Sequence, residues 1–158
     1  MQKQTSTAFT LIELLVSVTI LLLLTGGGIA TFTNFTQKNK VLNGAQELQA
    51  YLRTAQSLAR VGERPSGCDK LNGYEVVTSD VAGLKQVSIL ANCPSGNVET
   101  QTFTLPEGVT LNADLDMIFL SLHGGVTGGQ TVQVTNNEGF TYQFAVTQGG
   151  EITGGDFL

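Results

Sequence analysis

FTLIELLVSVTILLLLTGGGIA, residues Phe9 to Ala30, is 22 residues of nearly unbroken apolar character with a single charge, Glu13. As one helix it rises about 33 Å at ~1.5 Å per residue, enough to cross the hydrocarbon core of a bilayer. A carboxylate near the start of such a span costs roughly 3 kcal/mol to bury in lipid, so it needs a partner or a role. Three readings compete. An ordinary secretory signal calls for a small-residue cleavage site after the apolar run, and Thr25-Gly26-Gly27-Gly28 matches that poorly. A plain signal anchor leaves Glu13 without a purpose. The third reading cuts before the run, between Ala8 and Phe9, and keeps the apolar helix on the mature protein.

The third reading has a specific match. Ala8-Phe9-Thr10-Leu11-Ile12-Glu13-Leu14-Leu15-Val16 resembles the class III leader junction of type IV pilins and type II secretion pseudopilins. The motif combines a small residue, Phe, and Glu at the fifth mature position with a following span. Most members have Gly where this chain has Ala8. The resemblance implies a prepilin peptidase that cuts after Ala8 and methylates the new amino group of Phe9. It also implies an inner-membrane assembly platform and other pilin subunits as partners.

The physics of Glu13 suits that reading. Four residues after Phe9, it lies one turn from the new N-terminus, where a carboxylate complements the helix dipole. In a filament of parallel, staggered helices, the Phe9 amine of a neighbour pairs with it. The pairing neutralises two charges in an apolar core and sets the stagger, because misregistered packing leaves both unpaired. The plainer alternative is a glutamate that snorkels to the membrane surface.

Beyond residue 30 the chain turns polar, and Lys38 and Lys40 mark the exit from the apolar layer. Val41, Leu42, Ala45, Leu48, Leu52, Ala55, Leu58 and Ala59 then recur at helical spacing, flanked by Tyr51. Asn43, Gln46, Gln49, Arg53, Gln56 and Arg60 occupy the opposite face, so this half is amphipathic and lies on something apolar, most simply the domain that follows. Gly62 and Pro65 stop the helix. Gly26, Gly27 and Gly28 each cost roughly 1 kcal/mol in a helix relative to Ala. They form either a soft point at which the helix bends or a place for close helix contact.

After Pro65 the period becomes strand-like. The expected strands are Gly73–Thr78, Gln86–Ala91, Thr100–Leu105, Thr110–Asn112, Met117–Ser121, Thr131–Thr135, Thr141–Thr147 and Glu151–Thr153. Turns fall at Asn136-Asn137-Glu138-Gly139 and Gln148-Gly149-Gly150. The expected fold is α+β, a pilin fold in which a long N-terminal helix packs its second half on an antiparallel β-sheet. Its parts are a leader (1–8), a transmembrane or filament-core helix (9–30), an amphipathic helix half (31–61) and an extracytoplasmic β-rich domain (62–158). Leu52-Arg53-Thr54-Ala55-Gln56-Ser57-Leu58-Ala59-Arg60, followed by Arg64-Pro65, resembles the GspH/FimT-type minor pilins. So does the late order of a hydrophobic strand, the glycine-rich turn Gly124–Gly129 and two closing strands.

Cys68 and Cys93 are the only cysteines, and outside the cytoplasm an even pair reads as a disulfide. The alternative is two unrelated free thiols. With one His and no CxxC beside them, a metal site has no support. The sequence carries 8 Lys and Arg against 13 Asp and Glu. From Gly62 onward only Arg64, Lys70 and Lys85 oppose the acids, a balance that repels nucleic-acid phosphate.

Catalysis and cofactors find no foothold. His123 precedes Gly124 at a strand end, a loop or cap position, and no activated-serine elbow accompanies it. Asp114-x-Asp116 lacks the twelve-residue calcium pattern and reads as a solvated turn. Gly124–Gly129 lacks the Lys and helix of a phosphate loop. The expected function is therefore structural: a minor pilin or pseudopilin of a type IV pilus or type II secretion pseudopilus. It starts as a single-pass inner-membrane protein and is then assembled. DNA uptake and surface adhesion are the alternatives. DNA uptake needs a basic patch, and the tail from Gln143 to Leu158 has no Lys or Arg.

Overall fold

The computed structural model describes residues 10–158, with residues 26–31 described by their backbone alone. The Ala8–Phe9 junction lies outside the described residues. The chain divides into two compact units, one ending at Thr36 and the other Gln37–Leu158.

One helix, α1 (Leu11–Val61), begins in the first unit and ends in the second. Its stop has a local cause. Gly62 adopts φ +68°, a conformation that costs a side-chain-bearing residue dearly. Its amide and that of Glu63 then turn back to the carbonyls of Ala59 and Leu58, at 3.2 and 3.3 Å. This closes a Schellman motif that satisfies carbonyls the helix leaves open. The Tyr74 hydroxyl donates to the Glu63 carbonyl at 2.9 Å and ties the cap to the sheet. Burial, with the nearby Glu63 carboxylate, pushes the Tyr74 pKa up.

Nine strands follow: β1 (Gly73–Val81), β2 (Leu84–Asn92), β3 (Val98–Thr104), β4 (Val109–Leu111), β5 (Asp116–Leu120), β6 (Val126–Thr127), β7 (Thr131–Asn136), β8 (Thr141–Ala145) and β9 (Asp156–Phe157). Every pairing is antiparallel, as expected. The strands form two sheets, with orders β3-β2-β1-β5-β6 and β4-β7-β8-β9. The fold is α+β. The expected Glu151–Thr153 strand shrinks to a single bridge, Val146 to Ile152, and the closing pair with β8 is made by β9 instead.

Both sheets and the second half of α1 share one core. Val41, Ala45, Leu48, Leu52, Ala55 and Ala59 from the helix are buried with Val76, Ile89, Met117 and Phe119 of one sheet and Val132, Val134 and Phe144 of the other. Burying a side chain such as Leu48 or Leu52 is worth about 1.5–3 kcal/mol. The alternating sheet residues face this stripe because successive strand side chains point to opposite sides. Tyr51 stacks on Phe103, ring centroids 4.7 Å apart. Leu42 and Leu58 are only half-buried, and Gln49, expected on the polar face, is buried with its Nε2 unpartnered. Gln56 is drawn in as well, donating to the Gly150 carbonyl. Two sheets cover a wider arc of the helix than one would.

Two polar devices hold the periphery. Lys85 bridges Asp80 at 2.9 Å and Asp114 at 2.7 Å. Asp114 also accepts from the Thr78 hydroxyl, so it is a strap rather than a purely solvated turn. The hydrogen bond from Lys85 holds the Asp114 carboxyl below its usual range, and the same bonds raise the Lys85 pKa. Cys68 and Cys93 form a disulfide across a sequence separation of 25, joining the segment after the helix to the β2–β3 turn. In the chain-entropy model such a loop contributes on the order of 3 kcal/mol. Urea unfolding of the full chain in detergent, with and without reductant, should differ by about that amount; equal midpoints would show that the bridge adds nothing.

Candidate functional site

The functional candidates lie in the first unit, at the start of α1. Thr10 is the residue before the helix and Glu13 its third, the spacing of a capping box. The geometry is that of one. Glu13 Oε2 accepts from the Thr10 hydroxyl at 3.0 Å and from the Thr10 amide at 3.3 Å, while the Thr10 hydroxyl accepts from the Glu13 amide at 3.4 Å. The carboxylate thus covers the Thr10 amide, the Thr10 hydroxyl covers the Glu13 amide, and the carboxylate faces the positive end of the helix dipole. No partner approaches its other oxygen among the described residues.

The rest of the segment is apolar all round. Leu11, Ile12, Leu14–Val16, Val18 and Ile20–Leu24 are all exposed, from 46% at Val18 to 83% at Leu11. The hydroxyls among them are turned inward: Ser17 donates to the Glu13 carbonyl at 2.7 Å, Thr19 to Leu15 at 2.8 Å, and Thr25 to Leu21. Side chains that return their hydrogen bonds to the preceding turn expose almost no polar surface. The segment therefore suits an environment without water, and its one remaining polar group is Glu13. A helix hydrophobic on every face needs cover from lipid or from other helices. Among the described residues no helix is long and apolar enough to cross a membrane. The described side chains of the run end at Thr25.

The other expected positions sort themselves simply. Gly26, Gly27 and Gly28 lie within the backbone of α1. His123 is exposed in the turn after β5, its Nδ1 3.0 Å from the Ser121 carbonyl. Gly124–Gly129 supplies that turn and β6. Among the described residues no group of three or more His, Cys, Asp and Glu side chains is placed to hold a metal.

Residues 4–29 match the family model of the prokaryotic N-terminal methylation motif. Over these residues the chain has a prepilin-type N-terminus, similar to that of type IV pilin-like proteins. In general this motif implies a leader read by a prepilin peptidase, anchoring in a membrane and assembly with other pilin subunits. The match includes the Thr10–Glu13 box and ends before the β domain. No curated protein and no solved structure matches the chain.

Thr10-x-x-Glu13 has capping-box spacing in the sequence itself, where it overlaps the Phe9–Glu13 spacing of the prepilin-like junction. Thr10→Ala removes that cap and should destabilise the first turn by about 1 kcal/mol. Amide exchange at Leu11–Glu13 in detergent micelles would then speed up several-fold, while exchange at Leu48–Leu52 stays unchanged. Identical exchange in the first turn would show that the box carries no weight.

Proposed function

We propose that this chain is a minor pilin or pseudopilin, a structural subunit that enters a type IV pilus or type II secretion pseudopilus through its N-terminal helix. Prepilin peptidase cuts between Ala8 and Phe9 and methylates the Phe9 amine. Residues 9–30 anchor the chain in the inner membrane, with the β domain outside the cytoplasm. The GspH/FimT-type minor pilins are the subtype we favour, on the Leu52–Arg60 segment and the order of the late strands. Gly26–Gly28 provides the point at which the helix yields as it packs.

The observation that carries this reading is the carboxylate of Glu13 on an otherwise apolar rod, held, among the described residues, by its own first turn. In the membrane the capping box satisfies it in part. In the filament, a neighbour's methylated Phe9 amine gives it a full counter-charge. Leaving one member of a buried ion pair unpaired costs about 3–5 kcal/mol, which makes the correct stagger strongly preferred over others. The Cys68–Cys93 disulfide supports an oxidising compartment for the β domain. The acidic β domain disfavours the DNA-uptake alternative, since from Gly62 onward only Arg64, Lys70 and Lys85 oppose its acids.

Glu13→Ala tests the proposal in cells that carry the native assembly system. Membrane fractionation should show normal insertion, and the variant's content in sheared filaments should fall by at least about a hundredfold, the lower end of what about 3–5 kcal/mol implies. Normal incorporation of Glu13→Ala would refute the pairing.

A further inference from the structure

Phe32 and Phe35 are the only large apolar side chains between Ala30 and Val41. Both stand out from α1, 70% and 63% exposed. At a spacing of three they share one helix face. The residues around them, Thr31, Thr33, Asn34, Thr36 and Gln37, are polar and uncharged. Between Glu13 and Glu47 the only charges in the sequence are Lys38 and Lys40, both positive. Two exposed aromatics at the junction of an apolar run and a cationic one do not belong to the core of the β domain, because they precede the unit that holds it.

We propose that Phe32 and Phe35 sit in the headgroup layer of the bilayer, on the face opposite the leader, and fix the depth at which the N-terminal rod is held. The proposal rests on the membrane-anchor reading above and names the partner of the segment that follows the anchor. Length supports it. About 20 helical residues cross the hydrocarbon core, which carries the chain from Leu11 to about residue 30. The headgroup layer adds roughly 5–8 Å on each side, or about 3–5 residues of helix, and Phe32 and Phe35 fall there. Chemistry supports it too. Aromatic rings concentrate at the membrane–water boundary, where their flat apolar bodies meet the acyl chains. Lys38 and Lys40 follow, with no carboxylate between Glu13 and Glu47 in the sequence. Lys38 Nζ lies 4.4 Å from the Phe157 ring centroid and Lys40 borders a hollow shared with Glu107 and Glu138, so the two aromatics rather than the lysines mark the boundary. The Thr36 hydroxyl donates to the Phe32 carbonyl at 2.9 Å, which lets this turn enter the layer without an exposed hydroxyl.

The chain contains no Trp, so a single introduced Trp is the only such fluorophore. The full chain carrying Phe35→Trp, Phe32→Trp or Val18→Trp is reconstituted at low density into phosphatidylcholine–phosphatidylglycerol vesicles. Their lipids are brominated either near the headgroup or near the chain ends. The expected result is quenching of Phe35→Trp and Phe32→Trp about twofold stronger by the headgroup-proximal bromines, with the reverse order at Val18→Trp. Solvent-like, unquenched emission at both Phe positions while Val18→Trp is quenched would overturn the depth anchor and leave the membrane span intact. Equal depth for all three, or shielded emission that neither bromine quenches, would overturn it as well, the latter pointing to a neighbouring protein as cover. Loss of quenching at Val18→Trp too would overturn the membrane-anchor reading itself.

Discussion

A helix with no polar side, interrupted by one carboxylate, sets the terms for the rest of this molecule. Apolar exposure from Leu11 to Leu24 is not something a monomer in water sustains, and the inward-turned hydroxyls of Ser17, Thr19 and Thr25 remove even its small polar breaks. Such a rod has two natural solvents, acyl chains and other rods of its kind. In the structure Glu13 is held by the Thr10 cap; on the proposed reading, assembly exchanges that cap for the amine of a neighbouring rod.

The β domain answers a different constraint. The amphipathic half of α1 presents a stripe, Val41 to Ala59, that no single small sheet would cover, and two antiparallel sheets close over it. The Schellman cap at Gly62, the Tyr74 bond to Glu63 and the Cys68–Cys93 bridge all act within a few residues of where the helix stops. They tie the end of α1 to β1 and to the β2–β3 turn. Lys85, caught between Asp80 and Asp114, pins the β1–β2 hairpin to the segment before β5.

The helix, its amphipathic face and its stop were readable in the sequence because a 3.6-residue repeat and a glycine stop are local signals. The disulfide pairing was readable because only two cysteines exist. Most strands were found with ends displaced by a few residues. What could not be read depends on partners far away in the chain. The two-residue strands β6 and β9 exist only because Ile118 and Gln143 offer them an edge. Gln49 is buried although the repeat puts it on the polar face, and Asp114 is a strap because Lys85 arrives from the neighbouring hairpin. Asn136 belongs to the same class: its Oδ1 accepts from the amides of Glu138 and Phe140 and shapes the turn, and its burial follows from packing beneath Gln37. At the candidate site, Glu13 and its likeness to a prepilin junction were plain, and Thr10-x-x-Glu13 carries in the sequence the capping-box spacing that the structure closes.

The most direct test is intact mass spectrometry of the protein purified from membranes of cells with a prepilin peptidase. A polypeptide that begins at Phe9 with one added methyl group is what the account requires. A chain that still begins at Met1, leaving Glu13 no Phe9 amine to meet, or one that has lost the apolar rod and Glu13 with it, would contradict it.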